Sequence, residues 1–175
     1  MIRNPLPDLR NYEFEEVAFD ELMQNRINKI LIVCSNYDYY MLEEDGRIDE
    51  RIFNEYTDLN LRYPPNFVHA NSAKRAIKLM DDIKVDLVIT WLDIGNYNAF
   101  ETSKEIKEAY PDVPIAALSF YSSELRNKLQ KGNKGIIDFV FHWNGNVDIF
   151  LAIIKLTEDR MNANRDINQI GVKAI

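Results

Sequence analysis

The stretch that decides the fold is Lys84 to Ile94, K-V-D-L-V-I-T-W-L-D-I. Its apolar, strand-forming residues lie between a charged helical segment and a loop that contains Gly and Asn. A short apolar run with such borders is typical of a strand that is buried on both faces, as in a parallel sheet. We therefore predict that this strand lies in the middle of the fold.

Four further apolar runs resemble this one, and segments with helical periodicity separate them. The other predicted strands are Lys29–Ser35, Asn66–Ala70, Val113–Phe120 and Gly135–Phe141. The predicted helices are Phe14–Arg26, Tyr37–Glu44, Ile48–Leu61, Ser72–Met80, Ala99–Ala109, Ser122–Lys131 and Val147–Met161. Strands that alternate with helices at short spacing predict an α/β fold, a doubly wound parallel sheet with helices on both faces.

The length of 175 residues suits one globular domain. We predict that this domain spans residues 29–161 and follows an N-terminal extension, residues 1–28, that contains the first helix. Residues 162–175 have two interpretations, a linker or frayed tail and the start of a further domain.

Composition excludes several classes of protein. The formal net charge of −7 disfavours nucleic-acid binding, because phosphate contacts need clustered Lys and Arg. No apolar run approaches the roughly 18 residues that a membrane span needs, so no membrane contact is predicted. The single cysteine, Cys34, fits a reducing compartment and a place in the core. A cytoplasmic location is therefore expected.

From Lys29 to Arg160 the chain resembles a receiver domain of two-component response regulators. The resemblance rests on D-L-V-I-T-W with A-F-E beginning eight residues after Trp91, on V-P-I-A-A-L-S, and on G-x-x-D-F-V-F-H. It implies a CheY-like, flavodoxin-like sheet of five strands in the order 2-1-3-4-5. In the family, these three strands carry the phosphoacceptor Asp, a switch Ser or Thr, and a Lys.

Acyl phosphate formation needs a divalent cation held by acidic oxygens, with a hydroxyl and an ammonium group on the phosphoryl oxygens. The resemblance places the family's acidic pair on Cys34 and Ser35 and its phosphoacceptor on Trp91. It places the Lys on His142 and the following Pro on Trp143. Cys34, Ser35 and Trp91 therefore lack the carboxylates that the chemistry needs, whereas His142 can be cationic in place of the Lys.

Ser119 matches the switch hydroxyl of the family, and Phe139 matches the switch aromatic residue. The other pocket positions are degenerate, so the chain resembles a pseudo-receiver without catalytic residues, a metal or a cofactor. The sequence also lacks the glycine-rich phosphate-binding motifs, the G-x-S-x-G motif and the H-E-x-x-H motif.

Two alternatives remain for the site. Asp93 shares the side of the strand on which Trp91 lies, and together with Asp38 it would form a displaced acidic pocket that accepts phosphate on Asp93. His142 either replaces the lysine as a cation or is an ordinary loop histidine.

The segment L-E-E-D-G-R-I-D-E-R-I-F-N-E-Y-T-D-L-N-L-R-Y-P-P-N-F is unusual for a receiver. It resembles receiver-like N-terminal regions of bacterial proteins that also carry domains of the phosphoenolpyruvate synthase or pyruvate phosphate dikinase type. The segment has two interpretations, a crossover helix with a solvated acidic face and a partner-binding surface. That surface would contain Tyr56, Leu59, Leu61, Tyr63, Pro64 and Pro65.

These observations favour a non-catalytic, phosphorylation-independent regulatory module that binds a protein partner or forms a homodimer. The alternatives are the rearranged receiver that uses Asp93 and a flavodoxin-like binder of a small ligand, since this architecture hosts many functions.

Overall fold

A computed structural model describes residues 25–44, 46–59, 61, 63–92, 99–119 and 135–169, with side chains described up to residue 163. The strands are β1 (Lys29–Val33), β2 (Asn66–Ala70), β3 (Leu87–Trp91), β4 (Ile115–Ser119) and β5 (Phe139–His142). The helices are α1 (Asn36–Glu44), α2 (Ile48–Asp58), α3 (Ala73–Asp82), α4 (Ala99–Ala109) and α5 (Asp148–Gln169).

All strand pairs are parallel, and the strand order is β2-β1-β3-β4-β5. This order confirms the predicted sheet, with β3 at its centre. Every residue of β3 and of β4 is buried, which explains why these strands are continuously apolar in sequence. The edge strand β5 is only half-buried.

Alternate residues of the strands pack into two cores, one on each face of the sheet. The tryptophan-side core lies between the sheet and helices α1, α2 and α5. Its largest members include Trp91, Phe150, Tyr56 and Trp143. The alanine-side core lies between the sheet and helices α3 and α4, and it contains Ala70, Ala76, Ala99 and Ala117 among aliphatic residues. The helices cover both faces, as the sequence predicts.

The segment before β1 is fastened to α5. The Ile27 N–H donates to the Glu158 carboxylate at 3.0 Å, and the Asn25 N–H donates to the Asn162 side chain at 3.0 Å. Glu158 is only 2% exposed, and it also pairs with Lys155 at 3.0 Å. This buried carboxylate therefore joins the first described residues to the last helix.

Some predicted element limits are wrong. Asn25 and Arg26 are not helical, and the rest of the predicted helix at 14–26 lies outside the described residues. Helix α5 extends to Gln169, eight residues beyond its predicted end at 161. The predicted helix at 122–131 lies outside the described residues. By contrast, the predicted start of α3 at Ser72 agrees with the structure, where Ser72 caps the helix: its hydroxyl accepts the Arg75 N–H at 3.4 Å.

Across the described ranges, no helix combines the length and apolar character that crossing a bilayer requires.

Candidate functional site

The carboxyl ends of the strands meet at one edge of the sheet, which is where open parallel sheets bind ligands. Cys34 follows β1, Trp91 ends β3, Ser119 ends β4 and His142 ends β5. The register pairs Ser119 directly with His142. The structure therefore brings these predicted positions to the same edge.

Trp91 is 2% exposed and packs among other aromatic rings. Its ring centroid lies 6.0 Å from that of Trp143 and 6.2 Å from that of Phe150. The Trp143 and Phe150 centroids are 5.7 Å apart, and these two rings are nearly perpendicular. We call these three residues the aromatic cluster. The end of β3 is thus occupied by aromatic rings, of which Trp143 makes edge-to-face contacts with both Trp91 and Phe150; such contacts contribute beyond the area they bury.

Cys34 is 1% exposed, which confirms its predicted place in the core. Burial, and secondly the negative charge of Asp38, raise the pKa of its thiol to about 12, opposed by a hydrogen bond from the Tyr39 backbone. A neutral thiol in a core is a poor ligand for a hard cation such as Mg²⁺.

Ser35 caps helix α1. Its hydroxyl accepts the Asp38 N–H at 3.2 Å and donates to the Asp38 carboxylate, while its carbonyl accepts the Tyr39 N–H at 3.1 Å. Asp38 is half-buried, and its two hydrogen bonds with Ser35 make it part of the cap of α1. Its proposed companion in an acidic pocket, Asp93, lies outside the described residues.

The remaining predicted positions differ in exposure. Ser119 is 1% exposed, whereas His142 is exposed at the end of the edge strand. Phe139 is half-buried, and the Arg160 guanidinium lies 5.0 Å from its ring centroid. Such a cation over a ring face is favourable and holds the ring beside α5. Among the residues that the structure describes, no three His, Cys, Asp or Glu side chains are grouped so as to hold a metal ion.

Two hydrogen bonds at the top of β1 were not predicted. The Thr90 hydroxyl donates to the Val33 carbonyl at 2.9 Å, which joins the ends of β3 and β1. The His69 ring lies 3.0 Å from the Cys34 carbonyl and stacks on Tyr39 with centroids 4.2 Å apart. The sequence offers no local signal for these contacts, because they join residues that are far apart along the chain.

A cavity of about 320 Å³ opens beside the aromatic cluster. Sequence reasoning missed this cavity, because its walls come from distant segments: α1, the start of α2, the end of β3 and the turn before α5. Its lining residues are Asp38, Met41, Leu42, Gly46, Arg51, Trp91, Trp143, Gly145 and Val147.

Gly46 permits the close approach of two cavity walls. A Cβ atom at this position would lie 2.7 Å from the Leu42 carbonyl oxygen and 3.0 Å from a methyl group of Val147. The first distance is too short for any side chain, because the obstacle is backbone. Glycine is therefore required where α1 passes to α2.

The predicted partner surface is wrong in part. Tyr56 is only 4% exposed and Pro65 is buried, so neither is available to a partner. Leu59 and Tyr63 are 54% and 72% exposed.

No protein-family model matches the chain. Over 71 residues, 38% of the chain, it is 35% identical to the autoinducer 1 sensor kinase/phosphatase LuxN of Vibrio harveyi, of which it spans 8%. It is 25% identical over 166 residues to the transcriptional regulatory protein YdfI of Bacillus subtilis, which covers 85% of the chain and 72% of YdfI.

Solved structures with a similar fold include the signal receiver domain of an HD domain-containing protein from Pseudomonas fluorescens. That domain has a TM-score of 0.57 at 19% identity, over 81% of this chain and 94% of its own. The response regulator TrrA of Thermotoga maritima, solved with Mg²⁺ and BeF, has a TM-score of 0.54 at 18% identity, over 75% and 99%. The structural neighbours are thus receiver domains of response regulators, and the chain has their CheY-like fold.

Proposed function

We propose that this chain is a pseudo-receiver: a regulatory module that works through protein contacts and accepts no phosphoryl group. The observation that carries the proposal is the burial of Trp91 in the aromatic cluster, at the position that the receiver resemblance gives to the phosphoacceptor. An indole ring has no oxygen to phosphorylate and no charge to hold Mg²⁺.

The neighbouring positions support the same proposal. The buried Cys34 thiol stays neutral around neutral pH, and the Ser35 hydroxyl is engaged in the cap of α1. Neither supplies the anionic oxygen that a hard divalent cation prefers. A loss of both the acceptor and the cation site leaves the fold without the means to form an acyl phosphate.

The biological setting is also part of this proposal. The resemblance of residues 42–67 to regions of larger bacterial proteins suggests attachment to domains of the phosphoenolpyruvate synthase or pyruvate phosphate dikinase type. Any phosphotransfer would then occur in those other domains, in the bacterial cytoplasm. The exposed apolar residues Tyr37, Tyr40 and Phe53, at 71%, 57% and 56%, support a protein partner or a second copy as the binding partner.

The test is incubation with acetyl phosphate and Mg²⁺, followed by intact mass spectrometry. We expect the mass to stay unchanged while a phosphorylatable receiver domain in the same reaction gains a phosphoryl group. An acid-stable, base-labile adduct on this chain would overturn the proposal.

The variant Asp93→Asn distinguishes the alternative. If the wild-type chain gains an adduct that this variant lacks, the chain is a rearranged receiver that uses Asp93. If neither chain gains an adduct, the pseudo-receiver interpretation stands.

A further inference from the structure

The cavity beside the aromatic cluster has the size of a small-molecule site. Its volume of about 320 Å³ lies at the lower end of the range of about 300–1,000 Å³ that is typical of ligand pockets. The walls combine Trp91 and Trp143 with the apolar side chains of Met41, Leu42 and Val147. Such a surface suits a compact ligand with an apolar body.

The electrostatic character of the cavity comes from two charged lining residues, Asp38 and Arg51. The Arg51 guanidinium already pairs with Asp148 at 2.9 Å, with both side chains about half-exposed. This pair neutralises most of the positive charge on that wall. The Asp38 carboxylate accepts a hydrogen bond from the Ser35 hydroxyl, and no salt bridge joins it to a Lys, Arg or His side chain among the described residues. The described walls are therefore negative on balance.

An indole ring attracts cations through its electron-rich face, and a desolvated cation beside such a ring gains about 2 kcal/mol. The cavity places two indole rings and a carboxylate around one space. An anion would be repelled by the Asp38 carboxylate there, whereas a neutral ligand would gain at most a hydrogen bond from it.

We propose that this cavity is a binding site for a small organic ammonium ion whose apolar body contacts Trp91 and Trp143 and whose charge faces Asp38. This site is inferred from the shape and charge of the cavity, and not from the absence of a phosphoacceptor. It would give the module a chemical input that does not require a kinase.

The chain reports on this cavity directly, because its two tryptophans both line it. The experiment is a titration of tryptophan fluorescence with three probes of similar size: benzyltrimethylammonium, benzyl alcohol and benzoate. We expect a saturable change with benzyltrimethylammonium and affinities for the other two that are at least about tenfold weaker, since one charged contact changes affinity by about this factor. Equal affinities, a preference for benzoate, or no saturable response to the cation would overturn the proposal.

Two variants with opposite charge changes sharpen the test. Asp38→Asn keeps the shape of the side chain and is expected to weaken binding of benzyltrimethylammonium about tenfold. Arg51→Gln removes the partner of Asp148 and so leaves one additional negative charge near the cavity. It is expected to strengthen binding of benzyltrimethylammonium about threefold. An unchanged affinity in Asp38→Asn would contradict the site.

The matched control is Asp82→Asn, which makes the same charge change on helix α3, on the opposite face of the sheet. Its affinity for the cation should equal that of the wild-type chain. Circular dichroism and a thermal melt of each variant confirm that Asp38→Asn, which alters the cap of α1, is still folded under the titration conditions. Should Asp38→Asn not fold, Arg51→Gln decides, and weaker binding in that variant would overturn the proposal.

Discussion

The two cores on opposite faces of the sheet use different residues. The alanine-side core packs small and aliphatic side chains between the sheet and helices α3 and α4. The tryptophan-side core packs bulky rings, and Trp91, Trp143 and Phe150 all contact one another there. Two of these three rings occupy positions that the receiver resemblance assigns to the phosphoacceptor and to the proline. Both positions therefore lie in the core on one face of the sheet.

This difference implies that the aromatic cluster has become part of the structural core. A catalytic residue often lowers the stability of the fold, whereas a buried ring in a packed cluster raises it. The comparison between the two cores can be tested by substitutions that differ in size, charge and hydrogen bonding.

The largest effect is expected for Trp91→Ala. Truncation of a fully buried Trp removes its apolar contacts and leaves a cavity, and it should lower the free energy of unfolding by about 4 kcal/mol. The matched substitution on the opposite face, Met80→Ala, should lower it by about 2 kcal/mol, since Met80 is smaller and 6% exposed. Urea denaturation followed by circular dichroism measures both. A loss for Trp91→Ala no greater than that for Met80→Ala would contradict the comparison.

The second-largest loss of stability is expected at Glu158, whose carboxylate, like that of Asp138 on the other face, binds the backbone of a distant segment. Glu158→Ala should lower the free energy of unfolding by about 2–3 kcal/mol, because it leaves the buried Ile27 N–H without its acceptor. Asp138 on the other side accepts the Ile115 N–H at 2.8 Å and pairs with Lys107 at 2.9 Å, but it is more exposed.

Asp138→Ala is therefore the comparator, with an expected loss of about 1 kcal/mol, because water replaces part of the lost bonding. The same urea denaturation ranks the two variants. Equal losses of unfolding free energy would show that the deeper burial of Glu158 does not make its hydrogen bonds more stabilising than those of Asp138.

The smallest effect is expected for Tyr56→Phe. The Tyr56 hydroxyl is buried and, within the described part of the chain, has no hydrogen-bond partner. Its removal should leave stability unchanged or raise it by about 1 kcal/mol, because no bond is lost and an unsatisfied polar group disappears. Thermal denaturation at neutral pH measures this change, and a loss of stability would reveal a partner for the hydroxyl.

The same variant has a defined pH dependence. Burial, and secondly the charge of Glu158, raise the pKa of Tyr56, so the folded chain holds this phenol neutral. Above the unfolded pKa of about 10, only the unfolded chain ionises there, and stability is lost as pH rises. The wild-type chain should therefore lose more stability than Tyr56→Phe between about pH 9 and pH 11, and parallel curves would contradict this cause.

The strands could be predicted from sequence because each is a short apolar run with polar borders. The central strand β3 at Leu87–Trp91 lies within the predicted stretch, and β2 agrees in both limits. The end of α5 could not be predicted, because residues 162–169, N-A-N-R-D-I-N-Q, have few apolar residues and no clear helical period.

The candidate site could be predicted only as a set of positions. The resemblance to receivers predicts that Trp91 and Trp143 lie at one edge of the sheet. Nothing in the sequence shows that Phe150, from the first turn of α5, completes the cluster. The pairing of Arg51 with Asp148 and the burial of Glu158 depend on helix packing between distant segments. A charged residue in a helix is predicted to be solvent-exposed unless its partner is known.

The most direct test of the central claim is a titration of tryptophan fluorescence with Mg²⁺ and then with beryllofluoride. A receiver pocket would bind these ions at the end of β3, beside both tryptophans of this chain. We predict that fluorescence stays constant throughout, because the receiver resemblance places Trp91 at the phosphoacceptor position and Cys34 and Ser35 at the acidic pair. A saturable change on adding Mg²⁺, strengthened by beryllofluoride, would contradict the pseudo-receiver account.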